Sequence, residues 1–204
     1  MKEKNSKEKK LFEVAKLQQG LFTSKQAVEA GFGRNHHSYH VQAQNWFREM
    51  RGIYRLAQFP QDEAEAQLVL WYLWSRDRQD IPKGVYSFQT ALRIYDLTDL
   101  MPSQLHMTVP TNFRRFNQVP PILCLHKEEL KSSDIRRMSG YDVTTPTKTI
   151  IDLVYSEQFE PELIEQAAKE AISKGMIPPK EMPRINSALK SLETGQPPKG
   201  SPRE

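Results

Sequence analysis

The chain has 204 residues, 26% charged and 38% hydrophobic, with a net charge of +4, proportions that fit a globular fold of one ordinary domain plus a small one. No apolar run approaches the length of a membrane helix, and the charged start "MKEKNSKEKK" lacks the apolar stretch of a secretory signal. The single cysteine, Cys124, excludes an internal disulfide and a multi-cysteine zinc site and fits a reducing cytoplasm.

Charge is unevenly spread. Residues 1–60 hold 11 Lys and Arg against 5 Glu, whereas the remainder holds 18 basic against 20 acidic residues. Five of the eleven lie in a basic leader, residues 1–10, but Arg34, Arg48, Arg51 and Arg55 do not. That asymmetry fits a polyanion-binding front module joined to a near-neutral second domain.

In chain order, Leu11, Val14, Ala15 and Leu17 recur at helical spacing between Lys7 and Gln19, with Gly20 placed to close the helix. "TSKQAVEAG" follows, carrying a capping box between Thr23 and Gln26 ahead of a short helix that Gly31 ends. A third helix starts near Gly33 or Arg34, and the pair reads as a helix-turn-helix.

The third helix admits two phases. A long one buries Tyr39, Ala43 and Trp46. A short one ends near Ala43, turns Val41 and part of His37 or His40 inward, and leaves Arg34, Asn35, His36, Tyr39 and Gln42 outside. In either phase "NWFREMRGIYRLA" reads as two short strands joined at Arg51–Gly52, giving a winged helix-turn-helix over residues 11–60.

Beyond Pro60, "DEAEAQLVLWYLWSRD" reads as a helix that opens or links to the second domain, residues 61–192. The β-like runs "GVYSF", "QLHMTV" and "ILCLH" alternate there with "TALRIYDL" and "TPTKTIIDLVYS", and Pro146 sits just inside a helix start. "EPELIEQAAKEAISKG" and "EMPRINSALKSLE" read as helices, and the Pro/Gly-rich tail, residues 193–204, as disordered. The fold class is α+β: a winged helix-turn-helix, then a mixed α/β domain.

For duplex DNA, a recognition helix in the major groove would set Arg34 against guanine and Asn35 or Gln42 against adenine. Ser24, Lys25, His36, Ser38 and Tyr39 complete the candidate face, and Arg48, Arg51 and Arg55 would take phosphates or the minor groove.

Metal and catalysis find less support. His36 and His40 lie one helical turn apart, but no Glu or Cys accompanies them, and His106 and His126 stand isolated in β-like runs. Cys124 reads as a buried small residue. No metal or other cofactor is expected. Asp152 with Lys148 could belong to a nuclease-like site, but an i,i+4 ion pair at the edge of a core helix is the better reading, so no enzymatic activity is expected.

These residues also carry a family likeness. "LFTSKQAVEAGFGRNHHSYHVQAQNWFREMRGIYRL" resembles the winged helix-turn-helix of AbiEi-type antitoxins of type IV toxin–antitoxin systems. The shared pattern falls on Ala30, Gly31, Gly33, Arg34, Ser38, Tyr39, Arg51, Gly52, Ile53, Tyr54 and Arg55. Further blocks are Thr90-Ala91-Leu92, Leu97-Thr98-Asp99, Thr108-Val109-Pro110, and "VTTPTKTIIDLV" with Asp152, so the likeness spans roughly residues 11–155.

Two positions depart from it: the family usually has Gly where Gln44 stands and an aliphatic residue where His37 stands. The resemblance favours the short helix, with Gln44 in a left-handed turn. It implies a cytoplasmic repressor that binds inverted repeats in its own promoter and counters a nucleotidyltransferase-like toxin, as a monomer or weak dimer away from membranes. The competing expectations are a protein-interaction module built on the winged helix and, less favoured, a nuclease-like second domain.

Overall fold

The computed structural model describes residues 2–59, 63–99, 101–115, 118–156 and 158–194. The fold mixes α and β with two sheets, and the chain divides into two compact units. The first runs to Gly84 and includes Arg137–Asp142; the second takes in Val85–Arg136 and the chain from Val143. No helix among the described residues is long and apolar enough to cross a membrane.

In the first unit, α1 (Lys2–Lys16) leads into β1 (Leu21–Thr23), α2 (Ser24–Glu29), a 3-10 turn (Arg34–His36) and α3 (His37–Gln42). Then come β2 (Trp46–Met50), β3 (Ile53–Leu56) and α4 (Glu63–Trp74). The residues read as a leader therefore continue α1. The three strands form an antiparallel sheet in the order β1-β3-β2; β1, three buried residues long, has no counterpart in the sequence reading. The capping box forms as expected: the Thr23 side chain accepts from the Gln26 amide, and the Gln26 side chain accepts from the Thr23 amide. Gly20 (φ 82°) follows α1 in the left-handed region, and so does Gly31 (φ 105°) after α2.

The core of this unit joins Leu11 and Ala15 of α1, Ala27 of α2 and Phe22, Trp46 and Leu56 of the sheet. Trp46 lies edge-on to Phe22 (4.9 Å between ring centres) and to Phe32 (5.2 Å). Burial of such rings makes their truncation to Ala cost about 3–5 kcal/mol. The compact boundary falls after Gly84, not at residue 60, because α4 packs on β1 and β3.

In the second unit, β4 (Val85–Tyr86), α5 (Phe88–Ile94), β5 (Leu105–Val109) and β6 (Leu123–Lys127) precede β7 (Ile135–Arg137) and β8 (Asp142–Thr144), whose end residues Arg137 and Asp142 count with the first unit. The helices α6 (Pro146–Ser156), α7 (Pro161–Ser173) and α8 (Met182–Thr194) complete it. The sheet order is β6-β5-β4-β8-β7, with β4–β5 antiparallel and both β5–β6 and β4–β8 parallel. α6 packs against α5, α7 and α8. Pro146 opens α6, where its missing N–H costs nothing. The expected strands and helices are present, while β7 and β8, three residues each, went unread. Glu193 and Thr194 end α8; the rest of the tail lies outside the described residues.

Candidate nucleic-acid interface

The local geometry settles the phase of the third helix. A 3-10 turn carries Arg34–His36, α3 is only six residues long, and Gln44 takes φ 55° just past its end. That is the short-helix alternative, with a non-glycine residue in the left-handed region at a cost on the order of 1 kcal/mol.

The inner side of α3 is aromatic. His37 is 5% exposed, its ring nitrogen lies 3.3 Å from the Phe32 carbonyl oxygen, and its ring meets Trp46 at 5.4 Å and Tyr54 at 5.8 Å. His40 stacks on Trp46 at 4.5 Å. These contacts anchor the helix to β2 and β3. His37 thus fills the place expected of an aliphatic residue, and its buried nitrogen still meets a carbonyl.

The outer side is polar: Arg34, Asn35, His36, Ser38, Tyr39 and Gln42 are all exposed. Tyr39 is 63% exposed, unusual for so large a ring. The Asn35 carboxamide folds over Gly33, where an added Cβ would come within 2.8 Å of its oxygen.

The β2–β3 turn brings two more cations. Alternation along the strands puts Arg48 on the sheet face of Trp46, Tyr54 and Phe22, the face that α3 covers. Arg51 sits exposed at the turn, followed by Gly52 with φ 75°. Among the described residues, Arg34, Arg48 and Arg51 have no carboxylate partner within ion-pair distance.

Arg55 does not belong with them, which corrects its assignment to the phosphate-binding set. It alternates with Tyr54, so its side chain leaves the opposite face, where it is buried. Its Nε donates to Glu49 at 2.8 Å, Nη1 donates to the Phe59 carbonyl at 3.4 Å, and the guanidinium lies over the Phe47 ring at 4.8 Å. A cation held this way is not offered to a phosphate. Glu49 reaches it at an irregularity in the β2–β3 register between Arg48 and Met50.

The turn is held in place by Ser24, already a candidate for the DNA face, and by Arg76 and Asp80, which the sequence did not single out. The Ser24 amide donates to the Gly52 carbonyl at 3.0 Å, so Ser24, half-buried, serves the turn through its backbone. Arg76 donates to the Arg51 carbonyl at 3.2 Å and to that of Leu73 at 2.8 Å, and it pairs with Asp80 at 2.9 Å. Burial lowers the Arg76 pKa, opposed by Asp80. Thr23 donates its hydroxyl to Asp80. Lys25 is half exposed and donates to the Gln79 carbonyl at 2.7 Å, with Glu29 3.9 Å away, so part of its hydrogen-bonding capacity is already used.

The second unit holds two titratable clusters. In one, Lys148 on α6 lies 2.6 Å from Asp152 and 2.6 Å from Glu128. This is the i,i+4 ion pair expected of Lys148 and Asp152, with a third partner added. Burial pushes the Asp152 carboxyl up to about 7 against the pull of Lys148, and Glu128 and Asp134 add to the rise. Burial works against the Lys148 ammonium too, but Asp152 and Glu128 more than offset it and hold its pKa above the ordinary value. Asp152 Oδ2 is buried without a hydrogen-bond partner among the described residues.

In the other, His106 of β5 and Cys124 and His126 of β6 come together, so the two histidines are not isolated as their positions in the sequence imply. Burial lowers the pKa of both, taking His126, with His106 beside it, to about 4, and raises that of the Cys124 thiol. The usable signal was Cys-x-His on a strand, where residues two apart share a face. The pairing of β5 with β6, which supplies His106, is not written in either segment alone.

Compared with models of known protein families and with curated protein sequences, the chain matches none.

Proposed function

We propose that the chain is a cytoplasmic DNA-binding transcriptional regulator, its first unit serving as a winged helix-turn-helix with α3 as the recognition helix and the β2–β3 turn as the wing. The observation that carries this reading is the set of exposed, uncompensated cations, Arg34, Arg48 and Arg51, beside a polar helix edge. Arg34 at the helix start suits a guanine edge, and Arg48 and Arg51 on the hairpin suit backbone phosphates. Asn35 and Gln42 supply the carboxamides that read adenine.

The more specific reading is an antitoxin of the AbiEi type, which represses its own operon and counters a nucleotidyltransferase-like toxin. It rests on the residue resemblance alone, to which the structure adds the left-handed turn at Gln44, where those proteins usually carry Gly. In this reading the second unit is not enzymatic: the Asp152 carboxylate is engaged by Lys148.

The test is fluorescence anisotropy of the full chain on its own promoter duplex and on scrambled duplexes across a salt series. Arg48→Ala with Arg51→Ala should weaken binding to every duplex and reduce the salt slope by about one per arginine. Asn35→Ala and Gln42→Ala should narrow the gap between promoter and scrambled DNA instead. Absence of binding to any duplex at low salt would refute the reading. Salt-insensitive capture of a protein partner would then favour the interaction-module alternative, to which exposed Tyr39 and Phe47 would contribute.

A further inference from the structure

Parallel strands β5 and β6 place His106 opposite Cys124 and Thr108 opposite His126. His106, Cys124 and His126 therefore share one face of the sheet, while Met107, Leu105 and Leu123 turn into the core on the other. On the shared face, His106 Nδ1 lies 3.0 Å from His126 Nε2, and Cys124 Sγ lies 3.7 Å from the same nitrogen. One donor atom from each residue falls within 4.8 Å of the other two.

We propose that His106, Cys124 and His126 form a zinc-binding site that clips the edge strand β6 to β5. Zinc bonds of about 2.0–2.1 Å to nitrogen and 2.3 Å to sulfur, at tetrahedral angles, put two nitrogens about 3.3 Å apart and nitrogen about 3.6 Å from sulfur. The two separations from His126 Nε2 lie close to these figures, and the third, between His106 and Cys124, is within 4.8 Å and closes to about 3.6 Å on a small side-chain turn. Two imidazoles and a thiolate form a borderline-soft set suited to zinc, with a fourth position left for water.

Aromatic rings enclose the group: Phe88 lies 4.0 Å from the His126 ring centre and Phe159 lies 6.0 Å from that of His106. The His106 amide donates to Thr90 Oγ1 at 2.8 Å, fixing the backbone of one ligand. Without metal, the 3.0 Å contact is a hydrogen bond in which one ring nitrogen keeps its proton. Binding turns that ring to its other tautomer, frees both facing lone pairs and releases the Cys124 proton to solvent, so the charge of the ion falls by one at the site.

This inference is independent of the DNA-binding reading. The test uses the full chain purified without an affinity metal, then dialysed against Zn2+ and assayed for bound metal by mass spectrometry. Wild-type protein and a His36→Gln control should retain one Zn2+ per chain, whereas Cys124→Ser and His126→Gln should retain less than a tenth of that. Co2+ added to the wild type should give a thiolate-to-metal charge-transfer band and intense tetrahedral d–d bands, a readout that needs no variant. Zn2+ should also raise the melting temperature of the wild type and leave that of Cys124→Ser unmoved. Equal zinc in wild type and Cys124→Ser, loss of zinc with His36→Gln, or a Co2+ spectrum without the sulfur band would each overturn the assignment.

Discussion

Positive charge is held in opposite ways at two places, one in each unit. In the first, Arg34, Arg48 and Arg51 stand in solvent without a carboxylate partner among the described residues. In the second, Lys148 is drawn into the fold and shared by two carboxylates at 2.6 Å each. An exposed, uncompensated cation contributes little to stability and much to the local potential. A buried, paired one contributes the reverse, because removing either partner strands the other. Arg55 and Arg76 mark the dividing line: both lie near the exposed turn of the first unit yet are drawn in and paired with a carboxylate, as Lys148 is.

That contrast can be broken most severely at Lys148. Lys148→Ala leaves two carboxylates facing each other and should cost about 3 kcal/mol, reduced to the extent that Asp152 takes up a proton; urea denaturation monitored by circular dichroism gives the value. Arg55→Ala comes next. It should destabilise the first unit by about 2 kcal/mol through lost packing on Phe47 and an unpaired Glu49, while leaving the salt slope of DNA binding unchanged. Arg51→Ala should do the opposite, lowering the slope and leaving the melting temperature where it was. If Arg55→Ala lowers the slope as much as Arg51→Ala does, the distinction between the two is lost.

Acidity sharpens the comparison further. The Asp152 carboxyl, near its ordinary 3.8 in an unfolded chain, is pushed up to about 7 when folded. The folded state therefore holds this proton more tightly. Stability from this group is greatest below pH 4 and is lost as pH rises through 7. Between pH 8 and pH 5.5 the gain should be on the order of 1–2 kcal/mol. Asp152→Asn should remove that gain, which parallel thermal melts of the two proteins would reveal. The smallest expected effect is at Gln44: Gly there relieves the left-handed strain but loosens the unfolded chain, for a net stabilisation of about 0.5 kcal/mol.

The first unit was the more legible of the two. Its elements are local, so the Thr23–Gln26 capping box and the Arg51–Gly52 turn could each be read from a few neighbouring residues, whereas the left-handed Gln44 was implied only by the family resemblance. The error over Arg55 arose from clustering arginines by sequence distance. Strand alternation, with Tyr54 turned toward α3, already assigns Arg55 to the other face. In the second unit the decisive arrangements are long-range. Cys124 and His126 sit two residues apart, but only the parallel pairing of β5 with β6 brings His106 beside them. Short β1, β7 and β8 escaped for a related reason: three residues are too few to show a period, and β1 and β8 find β3 and β4 only far away in sequence.

With α3 as the recognition helix of the proposed DNA-binding reading, its brevity would limit how much of an address one molecule reads. The three residues of the 3-10 turn and the six of the helix rise about 15 Å together. On duplex DNA that spans about four base pairs, at roughly 3.4 Å each. A four-letter word recurs about once in every 256 positions, far too often to single out one promoter among the competing sites of a genome. A regulator with so short a reader needs two copies on mirrored words, spaced a whole turn of the duplex apart, and selectivity then grows as the product of the two readings.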